Sequence, residues 1–310
     1  MAYLKGFGAY VPSRIVRNDE IGALIGCEPE WITNVSGIEE RRFAGPGESV
    51  ADLAVRAAED CLSRTGLKPS ELGMVIVSSG TPERQFPGPA AAVARRLGSR
   101  ELPAIDLPVA SAGSLFGMSL AARLAETYRN VLVVGAERMS EVILRKPMER
   151  AVSMLFGDGA GACLISSEAG HARIIDSTIH SDGSFTPDLR LEYDQPLAMN
   201  GRSVILQASR KIPRAVGAIL ERNGRAPADV DVFLMHQANQ NLIVRIAEAL
   251  GVSPERFFSN IRKYGNTSSA SMLIAAAEWE QSAGFQNGFT SVFAGFGAGF
   301  HWGALLATGC

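Results

Sequence analysis

The chain has 310 residues, 46% of them hydrophobic and 20% charged, with a net charge of −2. That composition supplies a sizeable buried core and excludes a disordered chain, and the near-neutral balance excludes the basic face that nucleic-acid phosphates require. No apolar run reaches the roughly 18 residues of a membrane-spanning helix, and the first residues lack a charged-then-apolar signal pattern, so we expect a soluble, cytoplasmic protein with neither nucleic acid nor membrane as partner.

Taken in chain order, short apolar runs alternate with helical patterns. Residues 51–65 place apolar side chains at helical spacing, MVIVSS (74–79) reads as a buried strand, and 115–128 is helical again. VLVVG (131–135) and ACLI (162–165) are further strands. The polar, turn-rich stretch 182–200 predicts a long loop of the kind that forms lids or binding walls, and helices are expected over 211–223 and 241–250. Strand–helix alternation predicts an α/β architecture with buried, largely parallel sheets.

The chain also repeats itself. CLSRTGLKPSELGMVIVSS (61–79) matches ILERNGRAPADVDVFLMH (219–236) in outline, with Gly66 opposite Gly224 and Pro69 opposite Pro227. FGDGAGACLI (156–165) recurs as AGFGAGFHWGALL (294–306), in the same order. Two matches in register predict two similar halves, 1–170 and 171–310.

Cys27, Cys61, Cys163 and Cys310 are scattered without metal-ligand spacing, which predicts buried free thiols. His171, His180, His236 and His301 form no His-x-x-x-His pair, so no metal site is expected.

Four segments could carry chemistry. In AIDLPVASAGSLFG a strand leads to a helix opening near Ser111, where unpaired N–H groups favour a developing anion; the bland reading of Ser111 is a helix N-cap. MHQAN (235–239) ends an apolar strand, the edge at which α/β sheets hold ligands, and His236 could exchange a proton with a carbonyl substrate or be a structural histidine. KYGNTSSAS (263–271) is a turn running into a helix of small residues, with Asn266 as a possible amide donor. GFGAG (295–299) lets backbone approach backbone or ligand and could supply an oxyanion-binding N–H; it lacks dinucleotide G-x-G-x-x-G spacing. Together, a helix-start hydroxyl, a strand-end His, a turn Asn and a Gly-rich donor suit acyl transfer between thioesters.

With GxGAYVPSR (6–14), WITNVSGIEERR (31–42), SAG at Ser111, FGDGAGA, HQAN, GNTSSAS and GFGAGFHWG in this order, the chain resembles the β-ketoacyl-acyl-carrier-protein synthase III family nearly end to end. The resemblance implies a thiolase fold of duplicated halves in five αβαβα layers, normally a homodimer, with no cofactor beyond a coenzyme A thioester as substrate. Members use a Cys–His–Asn site to take an acyl group from acyl-CoA, then decarboxylate a malonyl thioester, often on an acyl carrier protein, and join the two by Claisen condensation. The His maps to His236 and the Asn to Asn266, as donors to the malonyl thioester carbonyl. The N–H groups of Ser111 and Ala298 map to the oxyanion hole, Trp31 and Arg150 to the pair bracketing the coenzyme A adenine, and Phe86 to a loop that reaches the partner's acyl pocket.

The cysteine position is Ser111. An unactivated hydroxyl stays protonated and attacks poorly, and three readings stand side by side: an oxygen ester formed with help from His236, a non-covalent decarboxylating or binding site, or an engineered Cys→Ser replacement. Val35 replaces a basic residue expected near Trp31. Asn241 replaces a carrier-docking arginine, and Glu248 and Ala249 replace a basic pair, leaving Arg245 or Arg210 as alternative docking charges. The expected function is an acyltransferase or condensing enzyme. A catalytically silent partner subunit is the alternative, and a hydrolase is disfavoured because no G-x-S-x-G elbow is present.

Overall fold

A computed structural model describes all of residues 1–310. Nine strands make up the main sheet assembly: β1 (Tyr3–Tyr10), β2 (Met74–Ser78), β3 (Ala104–Leu107), β4 (Asn130–Arg138), β5 (Asp158–Ser166), β6 (Ala172–Ser181), β7 (Val232–Met235), β8 (Thr290–Gly297) and β9 (His301–Gly309). The six principal helices are α1 (Val50–Thr65), α2 (Pro89–Arg96), α3 (Gly113–Tyr128), α4 (Gly201–Arg222), α5 (Gln240–Leu250) and α6 (Ser271–Ser282).

The strands run in the order β7-β8-β9-β6-β1-β5-β4-β2-β3. β1 and β6 share only two residue pairs, Tyr3 with Arg173 and Leu4 with Ala172, so the assembly hinges there into two sheets. Within each sheet the pattern repeats: β1-β5-β4-β2 and β6-β9-β8-β7 both run antiparallel, antiparallel, parallel. β3 is an additional parallel edge.

Period-2 alternation along the strands sorts side chains into layers. Val75 and Val77 of β2 pack with α1 and α2, whereas Met74 and Ile76 face α3. Phe233 and Met235 of β7 pack with α4 and α5, whereas Val232 and Leu234 face the centre. The central core draws on both sheets and on α3 and α6 together. The layers are therefore α1/α2, sheet, α3/α6, sheet, α4/α5. Enclosed on both sides, α6 is apolar around most of its circumference (SMLIAAAEW), as a buried helix must be.

The expectation of largely parallel sheets is corrected: only β2–β3, β2–β4 and β7–β8 are parallel. A parallel pair needs a crossover of a dozen or more residues. β8 and β9 are joined by three residues, and β5 and β6 by five, so both links force reversals. The helix expected over 211–223 starts ten residues earlier, because Asn200 caps it by accepting from the Ser203 N–H at 3.2 Å. Residues 182–200 form a wall with a short 3-10 turn (Gly183–Asp188) and a two-residue strand pair.

The cysteines are all free, but only Cys61 and Cys163 are buried; Cys310 is exposed and Cys27 half-buried. No helix is long and apolar enough to cross a membrane.

Candidate active site

Ser111 is not the N-cap of α3. Ala112 occupies that position, and Ser111 sits in a left-handed turn with φ 64°. A non-glycine residue there costs of order 1 kcal/mol or more and is held by its surroundings. The surroundings are backbone: a Cβ on Gly297 would lie 2.0 Å from the Ala110 carbonyl oxygen and 2.8 Å from the Ala112 nitrogen. The C-terminal end of β8 thus presses directly on the Ser111 turn, the role expected of GFGAG. Gly113 is required for the same reason, since its Cβ would strike Ser78 Oγ.

The Asn266 turn is built just as tightly. Gly265 has φ 65° and ψ −160°, a region essentially restricted to glycine, and a Cβ there would meet the Leu155 carbonyl oxygen at 2.8 Å. Arg41, fully buried, packs beneath this turn; its guanidinium donates to Asn18 Oδ1 and to the Met154 carbonyl, both at 2.7 Å. Burial lowers its pKa to about 10. Asn266 is anchored through its backbone to Leu155 and Gly157, and its Oδ1 accepts from the Ser268 N–H at 2.9 Å. Its Nδ2 donates to no protein group and is free to serve a ligand.

His236 follows β7 at its C-terminal end and is 2% exposed. Desolvation lowers its pKa to about 3, against a smaller opposing effect of the Ser268 backbone carbonyl as acceptor, so the ring is neutral at physiological pH. Nδ1 lies 2.7 Å from Ser271 Oγ. With the Ser271 hydroxyl donating to the Ser268 carbonyl, at 3.0 Å, Nδ1 carries the proton. With that hydroxyl turned to Nδ1, the proton moves to Nε2, so one hydroxyl rotation sets which nitrogen can donate.

Ser111, His236 and Asn266 line one cavity together, walled by Phe156, Leu189, Val204 and Phe296. Ser111 also borders a second, mostly apolar pocket with Met139, Leu191, Leu197 and Ala298. The structure therefore brings the other three expected groups, His236, Asn266 and the Gly-rich turn at Ala298, around the Ser111 hydroxyl. No hydrogen bond joins Ser111 to His236. The Ser111 N–H, expected in an oxyanion hole, donates to Ser268 Oγ at 3.1 Å, whereas the Ala298 N–H has no partner within the protein.

Trp31 and Arg150 lie together, the guanidinium 5.5 Å from the indole ring. They lie outside both cavities, but the Trp31 helix (Pro29–Ser36) is tied to the His236 cavity by Asn239, whose Nδ2 donates to the Val35 carbonyl at 2.8 Å. Asn241 bonds the same helix end, at the Asn34 and Val35 carbonyls. Arg210 and Arg245 are exposed on α4 and α5. Phe86 is 82% exposed and lines neither cavity of its own chain.

Sequence reasoning missed Glu137. This side chain has no exposed surface, yet accepts from Gly80 N–H, Thr81 Oγ1, Ser268 Oγ and Ser269 Oγ. A signal was present: an acid that directly continues the apolar run VLVVGA within one strand.

Residues 105–183 match the family described as 3-oxoacyl-[acyl-carrier-protein] synthase III, and residues 220–308 match its C-terminal part. Together they cover more than half of the chain. Beta-ketoacyl-[acyl-carrier-protein] synthase III of Gloeobacter violaceus is 38% identical across 98% of this chain and 97% of that protein. The chain belongs to the 3-oxoacyl-[acyl-carrier-protein] synthase III family. Among solved structures, the synthase III of Aquifex aeolicus VF5 superposes with a TM-score of 0.95 at 32% identity, covering 99% of this chain and 100% of that one. The priming β-ketosynthase of the R1128 polyketide pathway gives 0.92 at 32% identity, covering 100% and 96%. The fold is thus the thiolase fold of synthase III enzymes, and the chain is an acyltransferase of the condensing class.

Proposed function

We propose that this enzyme loads an acyl group from acyl-CoA onto Ser111 and condenses it with a malonyl thioester, carried by an acyl carrier protein, at the His236–Asn266 end of the same cavity. The observation that carries the reading is the single cavity shared by Ser111, His236 and Asn266. Ser111 occupies the position of the family's cysteine. The apolar pocket beyond it receives the acyl chain, and the Ala298 N–H faces the oxyanion of the acyl-transfer step. The Ser111 N–H joins it once Ser268 yields that bond.

In the second step the malonyl carbonyl accepts from Asn266 Nδ2 and from His236 in its Nε2–H form. Decarboxylation leaves an enolate whose negative oxygen these donors stabilise; its carbon attacks the acyl ester, and Ser111 leaves. A neutral His is suited to this, because a buried imidazolium would be costly and the charge forms only in the transition state. Trp31 and Arg150 hold the coenzyme A adenine, with the guanidinium moving off the indole to admit it. The same reading treats 1–170 and 171–310 as two thiolase-like halves. It assembles two copies into a homodimer in which the exposed Phe86 enters the partner's acyl pocket, and it places the enzyme in the cytoplasm.

Intact-protein mass after incubation with a panel of acyl-CoA thioesters tests the first step. A gain of acyl mass that Ser111→Ala abolishes is expected. Malonyl decarboxylation unchanged in His236→Ala would overturn the second. Ser111 itself favours one rival reading, a silent subunit serving an active partner, and turnover by the purified chain alone rejects it.

A further inference from the structure

We infer that Ser268 and Glu137 form a proton relay that activates Ser111, so that the hydroxyl is deprotonated from behind the site and not by His236. The inference rests on the reading of Ser111 as acyl acceptor and names the group that makes it one.

Hydrogen-bond accounting fixes the direction. Ser268 Oγ lies 2.9 Å from Glu137 Oε1, 3.2 Å from Ser111 Oγ and 3.1 Å from the Ser111 nitrogen. A hydroxyl has one proton and two lone pairs. Among the other partners of Glu137, the Gly80 and Ser269 N–H groups can only donate, to Oε2 and Oε1 respectively, and the hydroxyls of Ser79, Thr81 and Ser269 lie within donating distance. The carboxylate therefore accepts throughout, and the Ser268 proton points to it. Both lone pairs of Ser268 are then turned to Ser111, one accepting its N–H and the other its O–H. Ser111 is left with its own lone pairs free on the cavity side, the orientation a nucleophile needs.

Burial strengthens the chain. Ser268 is 3% exposed and Glu137 has no exposed surface, so no water competes for the proton. Ser268 is also held at φ 47°, a second left-handed serine, which aims its hydroxyl across the gap between α3 and α6.

Ser111 Oγ attacks the thioester carbonyl carbon; its proton passes to Ser268 Oγ while the Ser268 proton passes to Glu137 Oε1. Collapse of the tetrahedral oxyanion breaks the C–S bond, and the proton returns through Ser268 to the departing thiolate. The products are the Ser111 acyl ester and free coenzyme A thiol, with Glu137 as it began. Ser268, which lines the pocket beside Ser111, hands the proton to the departing sulfur, and Glu137 acts only through Ser268, as a relay residue.

The test compares Ser268→Ala in two backgrounds, the native chain and Ser111→Cys, by the rate of acyl-mass gain with acyl-CoA. A cysteine near a helix start ionises with little help, so the relay matters only to serine. We expect at least a ~100-fold loss of acylation rate in the native background and less than about fivefold in the Cys background, since a positioned base contributes about 10²–10⁴-fold. Glu137→Gln, which still accepts the Ser268 hydrogen bond but cannot take up its proton, is expected to show the same split. Equal losses in both backgrounds, or acylation of Ser111 at the native rate in Ser268→Ala, overturn the relay. Acylation of Ser111→Cys but not of the native chain also overturns it while leaving the condensing site intact; acylation of neither removes the proposed function as well.

Discussion

The turns at Ser111 and Ser268 each lead into a central helix, α3 and α6, and each holds a serine at positive φ. They nevertheless do different things. The Ser268 hydroxyl is buried and committed to Glu137, and its turn carries Asn266 and abuts His236 through Ser271. The Ser111 hydroxyl borders both cavities and has no acidic partner of its own. A repeated backbone device has been given a polar anchor on one side and open space on the other. The first makes a fixed platform of donors, and the second makes a reactive group. Shared geometry places the pair, and only the side chains behind each turn decide which one reacts.

The largest effect should come from separating the two turns chemically. Ser111→Ala is expected to abolish acyl-mass gain completely while malonyl decarboxylation continues, measured as CO₂ release; loss of both would mean that the turns are not functionally distinct. Asn266→Ala should do the converse, lowering decarboxylation by about 10²–10³-fold, the usual cost of one oxyanion donor, with acylation of Ser111 retained. Gly265→Ala attacks the platform itself. The added Cβ meets the Leu155 carbonyl in a glycine-only conformation, and we expect a loss of about 2–3 kcal/mol in thermal or denaturant unfolding.

The pH dependence of stability is a smaller test. His236 binds a proton in the unfolded chain below about 6.5 but in the folded chain only near 3. The unfolded state therefore carries more protons between those values, and stability rises with pH there. Unfolding followed from pH 7 downward should show stability from this group lost below about 6.5, at no more than about 1.4 kcal/mol per pH unit. His236→Gln should flatten that slope, and Ser111→Ala should leave it alone. Trp31→Ala, away from both turns, should raise the KM for acyl-CoA several-fold with kcat nearly unchanged, the pattern of lost uniform binding.

Much of this was legible because local chemistry repeats. Gly66 and Gly224 both end helices at φ near 65°, and both are followed by a one-turn 3-10 helix in which Glu71 or Asp229 caps backwards onto the backbone of Lys68 or Ala226. His236, Asn266 and the GFGAG turn were placed by motif, each at a strand end or a glycine-dependent turn. What escaped depended on contacts distant in sequence. Ser111 reads locally as a cap, and only the pressure of Gly297, 186 positions away, shows why its backbone turns left-handed. Glu137 and Ser268 look like a surface acid and a small packing residue until the sheets bring them together. Sheet direction was misjudged because connection length, more than strand composition, sets it.

One feature of the topology bears on how the site comes into being. β9 follows every other strand in sequence yet lies inside its sheet, between β8 and β6. Until it inserts, β6 keeps only its two residue pairs with β1, and β8, which carries Gly297, is paired on one edge alone, to β7. Such non-local pairing, here β9 with β6, is slow to form, so completion of the second sheet is expected late in folding. The Ser111 turn takes its shape from the pressure of that sheet through Gly297, so its hydroxyl is expected to reach its final setting only when the sheet is complete.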